Sequence, residues 1–248
     1  MPTEDAQLAS DLAVAAGERL LAVRAEHPGI DPAALKDLGD RSAQELLAAG
    51  LAAARPADPV LSEEAADDRA RLTADRVWII DPLDGTREYS EGRHDWAVHV
   101  ALWERGALVA GAVALPGLGT VLCTDPACVV PPSSGGPLTM AVSRSRPPAV
   151  ADALVARLGL TAVPMGSAGY KVAAVVRGEV DLYVHAGGQY EWDSAAPVAV
   201  ALAAGLHASR IDGSPLIYNQ ENVLLPDLVV CRPELADQVL TTIAEVAA

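Results

Sequence analysis

Apolar residues recur three and four apart from the start of the chain. Leu8, Leu12, Ala16, Leu20 and Val23 fall on one helical face, which predicts an amphipathic helix over residues 4–25, ended by His27-Pro28-Gly29. A second helix is expected from Arg41 to about Ala54, with Asp40 as N-cap and Arg55-Pro56 closing it. The Lys36 to Asp40 segment between them reads as a short polar loop. Val77-Trp78-Ile79-Ile80 is a compact apolar run halted by Asp81-Pro82, the pattern of a buried strand. Trp96 to Trp103 alternates, turns at Glu104-Arg105-Gly106 and returns as Ala107 to Leu115, an antiparallel hairpin.

Pro131-Pro132-Ser133-Ser134-Gly135-Gly136-Pro137 is the clearest break in the pattern. It divides an N-terminal α+β part, residues 1–137, from a C-terminal α/β part, residues 138–248. Beyond it strands (Leu138 to Val142, Asp181 to Val184, Leu228 to Val230) alternate with helices. The helices are expected at Ala149 to Leu158, Ala168 to Val176, Ser194 to Ala204 and Pro233 to Val246. Such alternation indicates a layered α/β arrangement.

Composition narrows the picture. The chain has 248 residues, 51% of them hydrophobic, enough for a substantial core. Phe is absent, so Leu, Val and Ala must fill it. A net charge of −15 repels nucleic-acid backbones and anionic membranes, so neither is expected as a partner. An anionic substrate would need a local reversal of that field, which a bound divalent cation supplies. Cys123, Cys128 and Cys231 are an odd number and read as reduced thiols, although Cys123 and Cys128 are close enough in sequence for a redox pair. No run approaches the roughly 18 apolar residues of a membrane span. Glu4, Asp5 and Asp11 stand where a signal peptide would be basic and apolar, so a cytoplasmic location is expected.

The chemistry concentrates after the buried strand. In Asp81-Pro82-Leu83-Asp84-Gly85-Thr86 two carboxylates three residues apart converge if the chain turns, and the Leu83 carbonyl adds an oxygen. Hard cations such as Mg²⁺ take oxygen ligands of this kind. Gly85-Thr86 lets the backbone approach an anion closely. The same residues are also ordinary turn chemistry. Upstream, Val60-Leu61-Ser62-Glu63-Glu64 ends in paired acids that read equally as solvated surface charge. Downstream, in Glu191-Trp192-Asp193-Ser194-Ala195-Ala196, Asp193 or Ser194 reads as a helix N-cap, a role compatible with metal ligation.

Taken together, the three segments resemble the inositol monophosphatase superfamily of lithium-sensitive, Mg²⁺-dependent phosphatases. The likeness extends over Ser143-Arg144-Ser145, Gly166-Ser167 with Lys171, Gly178 to Tyr183, and Gly213 with Tyr218-Asn219. It implies a layered α-β-α-β-α sandwich. It also implies that Glu63, Asp81, the Leu83 carbonyl, Asp84 and Asp193 hold two Mg²⁺ ions, and that Glu63 and Thr86 hold the attacking water. The amides of Gly85 and Thr86 would grip the phosphate. No nucleophilic Ser or Cys is then needed, because metal binding lowers the pKa of water. Gly85-Thr86-Arg87-Glu88-Tyr89 is similar to the bisphosphate nucleotidase branch, which removes the 3′-phosphate of 3′-phosphoadenosine 5′-phosphate, a by-product of sulfate assimilation. Inositol 1-phosphate and fructose 1,6-bisphosphate are alternative substrates of the same site. Ser143, Arg144, Ser167, Lys171 and Asp193 are candidate substrate contacts, with Arg144 and Lys171 facing a second phosphate or simply solvent. Asp40 is the candidate ligand of a third metal, in a loop shorter than the family's lysine-bearing flap, and Arg146 replaces a histidine often found after Ser-Arg-Ser. Family members form homodimers; the apolar hairpin from Trp96 to Leu115 offers either a dimer face or a buried sheet.

Other classes fit less well. Met165 occupies the place of the first glycine in a Gly-x-Ser-x-Gly elbow around Ser167. His94 and His99 would point to opposite faces of a strand, which disfavours zinc. Gly117-Leu118-Gly119 lacks the third glycine of a dinucleotide fingerprint. A non-catalytic binding protein on the same scaffold should have lost a ligand or the water-positioning Glu and Thr, and all are present.

Overall fold

The computed structural model describes residues 3–133 and 135–247. The first helix, α1 (Glu4–Glu26), begins at Thr3, whose Oγ1 accepts the Ala6 amide at 3.3 Å. It packs on α2 (Pro32–Ala54), which is nine residues longer at its start than the sequence pattern suggests. Asp31, not Asp40, is the N-cap, its carboxylate accepting the Ala33 and Ala34 amides, and Pro32 takes the first turn, where no amide is needed. Lys36 to Asp40 is therefore helical. Gly39 is no loop marker there: a Cβ would lie 3.0 Å from the Tyr89 ring and 3.2 Å from Leu83, so glycine lets the helix approach closely.

The chain then enters a five-stranded sheet ordered β1 (Val60–Ser62), β2 (Arg76–Asp84), β3 (Ala97–Glu104), β4 (Ala107–Leu115) and β5 (Thr120–Cys123). Only β1 and β2 run parallel; the β3–β4 hairpin is as expected. A short helix, α3 (Thr86–Ser90), follows β2. Residues 131–133 and 135–137 of the Pro131–Pro137 break carry neither helix nor strand; Ser134 lies outside the described residues.

The second sheet, ordered β7-β6-β8-β10-β9, comprises β6 (Thr139–Ser143), β7 (Thr161–Met165), β8 (Leu182–Tyr190), β9 (His207–Ser209) and β10 (Leu224–Cys231). The remaining helices are α4 (Ala149–Leu158), α5 (Ala168–Val176), α6 (Glu191–Ala203) and α7 (Ala236–Ala247). The last is preceded by a 3-10 turn at Pro233–Leu235. The sequence reading missed β1, β5, β7 and β9 as strands and set the start of α6 three residues late.

These elements stack in five layers, the expected α-β-α-β-α order. Alternation along β3 assigns its two faces: Val98, Val100 and Leu102 join the core under α1 and α2, while Ala97 and Ala101 join the core formed by α5 and α6. Leu182, Val184, Val229 and Cys231 face α4 and α7 on the far side. The central helical layer is the joint between sheets, and α6 packs against β2, β3 and β4 as well as β9 and β10. Trp96 to Leu102 and Ala110 to Leu115 of the apolar hairpin are buried within this chain, while Val109 is 48% exposed. Among the described residues, no helix is long and apolar enough to cross a membrane.

Candidate active site

The parallel register of β1 on β2 pairs Leu61 with Ile79 and Ser62 with Ile80, so Glu63 leaves its strand beside Asp81. Ser62 holds that exit: its hydroxyl donates to Gln44 at 2.7 Å and accepts the Glu64 amide. On the other side of β2, Asp81 pairs with His99 and Asp84 with Ala97. Three steps along β2 thus match two along β3, a bulge at Pro82-Leu83. In a regular strand residues three apart face opposite ways. The bulge turns both carboxylates to the His99 face, toward α5 and α6. Asp81 Oδ1 accepts the Leu83 amide at 3.0 Å and closes the turn.

Two helix starts meet them there. Asp193 is the third residue of α6, and its Oδ2 accepts the Tyr190 amide at 2.6 Å, capping the helix from inside rather than from its first position. Ser167 caps α5 by accepting the Tyr170 amide and donates to Asp84 Oδ2 at 2.5 Å. Ser167 has φ +48°, a strained region for a non-glycine residue. The Ala168 and Gly169 amides also donate to Asp84, and His99 Nε2 stands 3.3 Å from it. Gly169 is indispensable at this point, since a Cβ would lie 1.9 Å from His99 Nε2.

Among the described residues, Asp81, Asp84 and Asp193 bring carboxylate oxygens within 4.8 Å of one another. Burial raises the Asp81 carboxyl well above its usual range, and the charges of Glu63, Asp84 and Asp193 push the same way. Burial and then Asp84 raise Asp193 to about 6. Desolvation, then Asp193 and Asp84, raise Glu63 to about 7. Asp84 is the exception: burial opposes its charge, but His99, Ser167 and the Gly169 amide hold it at about 2. A buried, mutually repelling, all-oxygen set, offset only in part by His99 and Lys171, fits a hard divalent cation.

A cavity of about 610 Å³ opens over these carboxylates, bordered by Glu63, Asp84, Gly85, Ser167 and Asp193 at one end. Gly85 has φ +93° and starts α3. Ser143, Ser145, Arg146 and residues of β8 from Tyr183 to Tyr190 also line the cavity, and the Tyr190 end of that strand meets Asp193.

The profile of the inositol monophosphatase family matches residues 4–247. The chain belongs to the inositol monophosphatase family. The 3′-phosphoadenosine 5′-phosphate phosphatase of Mycobacterium leprae (strain TN) is 54% identical over 255 residues, spanning 98% of this chain and 94% of that protein. The 3′(2′),5′-bisphosphate nucleotidase CysQ of Escherichia coli (strain K12) is 32% identical over 199 residues, 75% of this chain and 81% of that one. The crystal structure of CysQ from Bacteroides thetaiotaomicron superposes with a TM-score of 0.80 at 27% identity, covering 92% and 97% of the two chains.

Other sequence candidates of this family member fall as follows. Leu83 has a buried side chain in the bulge, and Thr86 opens α3 half-buried. Lys171 is buried, donates to the Gly166 and Ser167 carbonyls and lies 5.2 Å from the Tyr183 ring; burial lowers its pKa. Arg144 is held by Glu88 at 2.6 Å and Glu91 at 2.5 Å, and Arg146 borders the cavity in its place. Asp40 sits on α2, raised to about 7 by burial, then Glu64 and Asp37. His94 precedes β3, whereas His99 is buried against the carboxylates, a role that strand parity alone did not reveal.

Proposed function

We propose that this protein is a Mg²⁺-dependent phosphomonoesterase that hydrolyses the 3′-phosphate of 3′-phosphoadenosine 5′-phosphate, giving AMP and inorganic phosphate. The observation that carries this reading is the convergence of Asp81, Asp84 and Asp193 under a cavity large enough for a nucleotide. The names of the two curated relatives support the substrate. Glu63, Asp81, the Leu83 carbonyl, Asp84 and Asp193 would hold two Mg²⁺ ions, with Asp40 a candidate for a third. When bound, such ions neutralise phosphate charge and acidify water.

The chain's own residues do the rest. Glu63, brought beside Asp81 where β1 ends, accepts a proton from the attacking water and, with Thr86, sets its direction. The left-handed turn at Gly85 brings backbone amides toward the phosphate. Ser167, Gly169 and His99 keep Asp84 ionised and fixed. Ser143 and Lys171 border the substrate's path; with Arg144 engaged by Glu88 and Glu91, Arg146 is, among the described residues, the arginine on the cavity wall. The division at residue 137 belongs to the same proposal, supported by one sheet lying on each side of it. A cytoplasmic site of action is supported by three free cysteines.

The test compares kcat/KM for 3′-phosphoadenosine 5′-phosphate, inositol 1-phosphate and fructose 1,6-bisphosphate, with and without Mg²⁺. The nucleotide should rank first, and chelation should abolish turnover until Mg²⁺ is restored. A higher value for inositol 1-phosphate would reject the substrate assignment.

A further inference from the structure

The cavity wall holds a side chain that the catalytic reading leaves unused. Gln189 is only 6% exposed, yet neither its Nε2 nor its Oε1 has a hydrogen-bond partner. An amide carries one strong acceptor and two donor hydrogens, and burying them unpaired forfeits hydrogen bonds that water would otherwise make. Its direction follows from register. Gln189 pairs with Leu225 of β10, and directly opposed residues share a sheet face. Leu225 belongs to the core that includes Val172 and Ala173 of α5 and Ala195 of α6. The Gln189 side chain therefore faces the central layer, the side on which the carboxylates lie, and the residue lines the same cavity.

Its surroundings are built. Two glycines, Gly187 and Gly188, with φ +123° and +86°, form a bulge just before it, and His185 Nε2 stands 3.0 Å from the Gly188 carbonyl. Next in sequence, Tyr190 borders the cavity with 47% of its surface exposed; one ring face stacks on Trp192, centroids 4.8 Å apart and planes 12° from parallel. An unpaired amide and a half-exposed aromatic ring bordering one cavity suit a planar heterocycle that is read by its edge and can stack by its face.

We propose that Gln189 reads the nucleobase, its amide pairing with the adjacent donor and acceptor of a purine edge. This rests on the nucleotide-phosphatase reading and adds the residue that sets base specificity. The exocyclic amino group of adenine donates to Oε1 while ring N1 beside it accepts from Nε2. An amide turned end for end serves hypoxanthine, whose edge has the opposite order, so the wild type should accept both bases.

The experiment uses the Mg²⁺-loaded enzyme and three 3′,5′-bisphosphates: those of adenosine, of inosine, and of methyl riboside, which has no base. Variants are Gln189→Met, close in shape without hydrogen bonds, and Gln189→Glu, an acceptor only. Gln189→Met should lower the adenosine-to-riboside ratio of kcat/KM by about 10-fold or more, a single bidentate base contact. Gln189→Glu should lower kcat/KM for adenosine and inosine alike relative to methyl riboside, because a carboxylate accepts one N–H of either edge but repels the acceptor beside it, the ring nitrogen of adenine or the carbonyl oxygen of hypoxanthine. Variants that fold, judged by circular dichroism, and keep both wild-type ratios overturn the proposal; Gln189 is then a structural amide satisfied by internal water. Should the wild type itself show no preference for adenosine over methyl riboside, the nucleotide reading fails and this inference with it. The two failures are separated by which protein shows them.

Discussion

Asp193 offers a sharp test because its carboxylate is costly to the ion-free fold. Burial and the neighbouring Asp84 raise it from 3.8 to about 6. A carboxyl whose folded pKa exceeds its unfolded one favours the fold below the unfolded value, and that benefit disappears as pH rises through the folded value. The window for Asp193 thus opens near pH 4 and closes near pH 7. A rise of roughly two pH units, at about 1.4 kcal/mol each, is worth at most about 3 kcal/mol. In a chain of this size that corresponds to roughly 6–12 °C in Tm. Asp193→Asn removes the charge while an amide oxygen can still accept the Tyr190 amide. Thermal unfolding in EDTA should show the variant more stable than wild type at pH 8 and indistinguishable from it at pH 4. Millimolar Mg²⁺ at pH 8 should reverse the order, since binding to the folded state raises stability by mass action and the variant binds more weakly. A variant less stable than wild type at pH 8 in EDTA, or an offset equal at both pH values, would refute the electrostatic argument.

Other outcomes follow from the same geometry. Ser167→Ala removes both the α5 cap and a hydrogen bond to Asp84, and should cost about 1 kcal/mol in urea unfolding while lowering kcat about 10-fold to 100-fold. Gly169→Ala places a methyl on His99; it should cost about 1–3 kcal/mol and reduce kcat, read by the same two assays. Arg71 is fully buried between Asp67 and Asn219, joining the segment after Glu63 to the loop that Glu191 anchors at the start of α6. Arg71→Ala should destabilise by about 3–5 kcal/mol, measured by denaturant titration.

Much of this was legible in the sequence, for identifiable reasons. Val77 to Ile80 is apolar throughout because β2 lies between two helical layers, and its end coincides with Asp81-Pro82. The hairpin and helices α4 and α5 carried their own periodicity and stop signals. The start of α2 was hidden because Gly39 and Asp40 look like loop residues, and only the packing of Tyr89 and Leu83 explains a glycine there. Short strands β5, β7 and β9 depend on their neighbours for pairing and carry too few residues to show a period. At the site, residue types pointed to the acids, but the means of their convergence was not readable. The bulge at Pro82-Leu83 defeats simple strand parity, and the same parity rule set His99 aside. Arg144 looked free in sequence because the carboxylates that hold it, Glu88 and Glu91, lie on a different element.

The central claim is that Asp81, Asp84, Asp193 and Glu63 surround divalent cations. Anomalous diffraction from crystals soaked in Mn²⁺ addresses it directly. The account predicts density bounded by the Asp81, Asp84 and Asp193 carboxylates, with metal–oxygen distances of about 2.0–2.3 Å. Crystals of active enzyme with Mn²⁺ bound elsewhere, or with none at millimolar concentration, would contradict it.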